Sequence, residues 1–156
     1  MELSANVFEV WVFRRTQTGV EYLLLHTSQI KADRHFNGGR FWQIPGGFVE
    51  AHENIVGAIE RRLAAFNLLP SSIWAAEHAY TIYNRRFDSM QIVGVYEAEA
   101  DQDVITLDPE EHSDAQWFSF EECLTRVYYR GLKDGLRSVR EYITGVVVPA
   151  RELQLK

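Results

Sequence analysis

Between Asn6 and Thr27 two runs dense in β-branched, aromatic and leucine residues, NVFEVWVF and EYLLLHT, stand either side of the polar RRTQTGV. Such runs suit a half-buried pleated surface, and the glycine-bearing break between them predicts an antiparallel pair. The next stretch, SQIKADRHFNGGR, is polar, carries two glycines and shows no period, so a loop is expected before a short strand at FWQI. From Asn54 to Phe66 the period changes. Ile55, Ile59, Leu63 and Phe66 recur every three or four residues, forming one stripe of a helix packed on a sheet. Beyond Pro70, SIWAAEHAYTIY and SMQIVGVYEAEA bracket the turn-like NRRFD and read as a second strand pair. An acidic loop, DQDVITLDPEEHSD, leads to a short strand in AQWFSF. Ser119 followed by Glu122 is a capping-box pattern for a short helix, and GLKDGLRSVREYI predicts a final one. Adjacent strands with few helices, and no repeats or linkers, predict one domain over residues 1–156, an α/β sandwich on a mixed sheet.

Composition narrows the functions open to such a domain. With 46% hydrophobic residues the 156-residue chain can bury a real core. A net charge of −6 and a pI near 5.4 argue against a nucleic acid polymer as partner, because neutralising many phosphates takes an excess of Lys and Arg. One phosphorylated small molecule stays compatible, since a single arginine-lined pocket does not require a basic protein. Cys123 is alone, so no internal disulfide can form and a reduced, cytoplasmic setting is expected. MELSANVFEVWVFRR lacks the pattern of a secretory leader, and no run of about 18 apolar residues predicts a membrane span.

The stretch PGGFVEAHENIVGAIERRLAAFNLLP, residues 45–70, runs from a glycine turn into the striped helix. Gly47, Glu53, Arg61, Leu63 and Leu69 stand at the spacing of the Nudix signature: Gly, five residues, Glu, seven residues, then Arg-Glu-hydrophobic-any-Glu-Glu-any-Gly-hydrophobic. The chain therefore resembles the Nudix hydrolases, with Pro45 and Gly46 preceding as in many members and the other elements in a similar order. The resemblance implies an α/β/α sandwich with a mixed β-sheet. It also implies a Mg²⁺- or Mn²⁺-dependent pyrophosphohydrolase of nucleoside triphosphates or related nucleoside diphosphate derivatives. HSDAQWFSFEECL with GLRSVREYI looks similar to the branch acting on dATP and dihydroneopterin triphosphate, which implies a purine-like ligand.

Four signature positions differ. Arg62 stands for the glutamate after the arginine, Ala65 and Phe66 for the glutamate pair, and Leu68 for the glycine. In the family those three glutamates bind divalent cations, whereas here the corresponding side chains offer no oxygen donor. Asn67 can supply the left-handed turn in place of the glycine. Glu53 and Arg61 match the family's brace between loop and helix. The expectation is thus a retained scaffold with a degenerate box that binds a nucleotide-like, diphosphate-linked ligand with weak or no hydrolysis. No metal is expected, and Glu50, Glu53 and Glu60 are the fallback ligands. The alternative is an active Mg²⁺-dependent hydrolase recruiting carboxylates outside the lost positions, from among Glu97, Glu99, Glu110, Glu111 and Asp114.

Candidate ligand contacts are Gly46, Gly47 and Arg62, whose fork suits phosphate oxygens, with Arg85 and Arg86 in the NRRFD turn. Trp42, Trp117, Tyr80 and Phe87 are open to base stacking or to core packing. His52 and His112 border the carboxylates without a paired ligand spacing, and Cys123 reads as packing. The sequence does not fix an oligomeric state and leaves a homodimer open.

Overall fold

The computed structural model describes all of residues 1–156. Strands β1 (Glu2–Thr16) and β2 (Gly19–Thr27) pair antiparallel, with Phe13 opposite Tyr22 and Thr16 opposite Gly19. Strands β5 (Ser72–Asn84) and β6 (Ser89–Glu99) form the second hairpin, and β6 lies parallel to β1. Two short strands, β3 (Trp42–Gln43) and β4 (Gly46–Phe48), join β2 and β1, while β7 (His112–Phe118) runs antiparallel along β2. The result is a mixed seven-stranded sheet of order β3-β2-β1-β6-β5, with β4 and β7 off this path.

Alternation along β1 builds both layers, because successive side chains of a strand point to opposite faces. Phe8, Val10 and Val12 meet α2 (Ile55–Ala64) through Ala58, Ile59 and Leu63, with Phe66 and Leu68 completing that core. Trp11 and Phe13 face the other way, against Cys123 and Val127 of the α3 region (Phe120–Arg126) and Leu132, Leu136 and Val139 of α4 (Arg130–Val139). Burying each such side chain contributes about 1.5–3 kcal/mol, so the two apolar layers dominate what holds the helices to the sheet. Gly131 lets α4 come this close, since a Cβ there would overlap the Tyr80 ring.

The caps follow the sequence. Asn54 Oδ1 accepts from Gly57 N to open α2, Asn67 takes φ 63° just beyond it, and Ser119 and Glu122 form both bonds of the capping box on α3. One region departs from expectation. Gln29–His35, read as loop, is helix α1, capped by Ser28 Oγ accepting from Lys31 N. A cap, the Gln29–Asp33 hydrogen bond at 2.9 Å and one buried residue, Ala32, suffice for it, and none of these leaves an apolar stripe to read. The short strand expected at FWQI shrinks to Trp42–Gln43, and the final helix starts one residue early, at Arg130, before widening into a π turn over Arg140–Thr144. No helix is long and apolar enough to cross a membrane.

Candidate functional site

The loop between β3 and α2 is fixed from both ends. Gly46 lies opposite Glu9 of β1, where a Cβ would come within 2.8 Å of the Phe8 carbonyl oxygen, so only glycine fits. At the other end Arg61 grips Glu53 with two bonds, Nε at 2.7 Å and Nη2 at 2.9 Å, and Nη2 also donates to the Phe48 carbonyl. Glu53 Oε1 accepts in turn from Glu50 N at 3.0 Å. The Arg61 guanidinium, followed by the Glu50 amide, holds the Glu53 carboxyl down to about 2.

Arg62 points to the other side of that loop. Its Nε donates to the Gly46 carbonyl at 2.7 Å, its Cδ lies near Gly47, and its guanidinium carbon stands 4.8 Å from the centre of the Phe66 ring. Burial works against its charge, while Glu111 and Asp108 support it. One bond thus fixes the side chain beside the glycine turn and leaves the Nη groups unspent on the Gly46 carbonyl. Across Phe66, at 5.8 Å between ring centres, is buried His112. The Gln43 side-chain amide meets His112 Nε2, while His112 Nδ1 is buried without a partner. Burial first, then Lys31 and Arg62, pushes the imidazole down to about 4, so it is neutral at physiological pH.

A hard cation such as Mg²⁺ needs clustered oxygen donors. Arg62, Ala65 and Phe66 provide none, and Phe66 is core, 3% exposed. Glu60 points away to Lys156 Nζ at 2.7 Å, Glu53 is taken by Arg61, and Glu50 lies 3.9 Å from the same arginine. Nowhere do three His, Cys, Asp or Glu side chains gather around a metal-sized space. The residues present do not fit such an ion.

The remaining candidates separate. Arg85 and Arg86 form the exposed β5–β6 turn, and neighbouring Phe87 rests edge-on against Phe48 at 6.2 Å, so the turn abuts the glycine loop. Leu69, at a signature position, is 67% exposed while Leu68 takes the core place. Glu111 pairs with Lys31 at 2.9 Å and Glu99 lies 3.8 Å from Arg15. Asp114 accepts from Ser113, and His52 sits exposed in a turn at φ 70°. Trp42 stacks on His26 at 4.5 Å, and Trp117 lies under Arg14. Cys123 is buried packing, its thiol pushed up to about 12 by burial first.

Sequence reasoning passed over Glu9. Its Oε1 accepts from the Tyr80 hydroxyl at 2.5 Å, its Oε2 is buried without a partner, and burial pushes the carboxyl up to about 7. The signal was a single acid inside the apolar run NVFEVWVF.

Comparison with known proteins places this arrangement. The NUDIX domain family model matches residues 5–137. No curated protein matches in sequence. Among solved structures, a protein assigned as a NUDIX hydrolase from Listeria monocytogenes is similar at 19% identity and TM-score 0.75, over 93% of this chain and 98% of that one. An Ap4A hydrolase of C. elegans is similar at 17% identity and TM-score 0.67, over 94% and 100%. The NUDIX domain of Shewanella oneidensis NrtR, in cocrystals with ADP ribose, is similar at 18% identity and TM-score 0.67, over 90% and 88%. With the glycine loop, α2 and all of the sheet but the first three residues of β1 inside the matched span, the chain belongs to the Nudix family.

Proposed function

We propose that the chain binds a nucleotide or another diphosphate-linked small molecule at the Gly46–Gly47 loop, with weak or no hydrolysis. The observation that carries this reading is Arg62, a cation fixed by its Nε on the Gly46 carbonyl at the helix position where the family's signature has a metal-binding glutamate. Charge-assisted bonds from a guanidinium to phosphate oxygens are among the stronger polar contacts, so Arg62 can meet a diphosphate without an intervening ion. The ADP ribose bound by the similar NUDIX domain of NrtR is a ligand of this chemistry. Arg85 and Arg86, on the turn abutting the loop, would supply outer phosphate contacts.

The competing reading is a Mg²⁺-dependent pyrophosphohydrolase. It draws on the 108–111 loop, where Asp108 and Glu111 come near enough to Arg62 to support its charge. A screen of nucleoside triphosphates, dinucleotides and nucleotide sugars, recording thermal shift and phosphate release in the same wells, separates the two. Stabilisation without release, weakened about tenfold or more by Arg62→Ala, is the expected result. Release that requires Mg²⁺ and disappears in Glu111→Gln would establish the hydrolase instead.

A further inference from the structure

On the α4 side of the sheet, away from Arg62, two adjoining open grooves of about 660 and 330 Å³ share Tyr128 and Tyr129 in their linings. The smaller is walled by Phe36, Phe41 and Trp42, with Arg40 and Arg126; the larger is lined by Arg130, Lys133 and Arg137, with Asp134 as its one acid. Phe36, Phe41, Tyr129 and Tyr128 meet edge-to-face in succession, at 4.9, 5.3 and 5.3 Å between centres. That packing holds the rings in place while leaving Tyr128 78% and Tyr129 51% exposed. A fixed row of exposed aromatics is costly to keep in water unless something covers it.

The adjoining charge says what would cover it. Arg130, Lys133 and Arg137 follow one another at three- and four-residue steps on α4, a rise of roughly 5 to 6 Å each, which places them on one face. Arg137 is tied to Asp134 at 3.0 Å, while Arg130 and Lys133 have no ion pair. Flat aromatic rings beside a run of cations suit a planar base joined to several phosphates, because stacking is tolerant of base identity and each cation meets one anionic group. A long polyanion is a poorer fit, since beyond this patch it would lie against a surface whose total charge is −6.

We infer that this groove is a nucleotide site in its own right, taking the base of a nucleoside polyphosphate against Tyr128 and Tyr129 and its phosphates along Arg130 and Lys133. It does not depend on the role given to Arg62.

The test is titration of the intact protein with fluorescent N-methylanthraniloyl ATP, competed by ATP, adenosine, inorganic triphosphate and a single-stranded oligonucleotide. Two double variants, Tyr128→Ser with Tyr129→Ser and Arg130→Gln with Lys133→Gln, change side chains that are exposed or, at Lys133, half-buried, and replace none of the buried α4 residues Leu132, Leu136 and Val139. Each is expected to weaken ATP at the groove at least tenfold, and crosslinking with 8-azido-ATP should label residues 126–137. Arg62→Ala should change groove affinity less than twofold, so failure at the glycine loop leaves one ATP site and failure of the groove leaves none that senses Tyr129. Adenosine and triphosphate alone should each compete less well than ATP. The inference is overturned if both folded variants bind ATP like the parent, if Arg62→Ala alone abolishes binding, or if the oligonucleotide displaces the probe at lower concentration than ATP.

Discussion

The two faces of the sheet treat polar groups in opposite ways. On the α2 face they are paired off: Arg61 with Glu53, Arg62 with the Gly46 carbonyl, Glu60 with Lys156, Gln43 with His112. Only His112 Nδ1 is left over there. Under α4, by contrast, Glu9 Oε2, Trp11 Nε1, His78 Nε2 and both oxygens of Glu97 are buried without a partner. Each such group costs about 1–3 kcal/mol relative to a bonded one, so the α4 layer relies chiefly on packing, with the Tyr80–Glu9 and Tyr22–Thr144 bonds as its polar ties. The α4 side consequently carries the two carboxyls raised by burial, Glu9 and Glu97, and the α2 side a buried imidazole lowered by it, His112.

Four measurements test that contrast. The largest effect should come from Phe66→Ala, which empties the α2 core under Arg62 and should cost about 3–5 kcal/mol by denaturant unfolding. A loss below 1 kcal/mol would mean that the loop side is not packed as tightly as the structure implies. Next is pH. Glu9 is raised in the fold from 4.5 to about 7 by burial, so the folded state favours its protonated form. That contribution is fully present below about 4.5 and is lost as pH rises to about 7, a change on the order of 3 kcal/mol. Glu9→Gln should flatten this slope in thermal melts between pH 5 and 8, and an unchanged slope would place the titration elsewhere. His112 acts oppositely: lowered to about 4, it stabilises above about 6.5 and loses that contribution as pH falls through 4.

Gly131→Ala comes third. Its methyl would overlap the Tyr80 ring, displacing α4 at a cost of roughly 1–3 kcal/mol, and calorimetry should show it without loss of the α2 layer. The smallest effect is expected from Glu53→Gln, because the Arg61 pair lies at the surface where ion pairs contribute little. Its signature is local, with faster hydrogen exchange over residues 46–53. Equal exchange in both proteins would show that the Arg61–Glu53 clamp does not order the loop.

How much of this was legible in the sequence depends on how far apart the partners lie. The α2 stripe, the left-handed Asn67 and the Ser119–Glu122 box are signals within a few residues of what they do, and each took the expected form. The mixed sheet followed from strands adjacent in the chain. Helix α1 escaped because its support is a serine cap and one alanine. Glu9 escaped because an acid in an alternating strand reads as facing solvent, and only Tyr80, 71 residues later, shows that it faces α4. The aromatic groove was equally hidden: Phe41 and Tyr129 meet across a gap that no local period records.

The bond from Arg62 to Gly46 has a consequence for supply. A metal ion in a phosphate site comes and goes with its free concentration, and chelators or competing nucleotides can strip it. A guanidinium on the chain is present once per molecule, stays charged throughout the physiological pH range, and cannot be diluted away or exchanged for a different ion. A ligand held by it would therefore report its own concentration alone, with no second variable set by the cell's divalent cations.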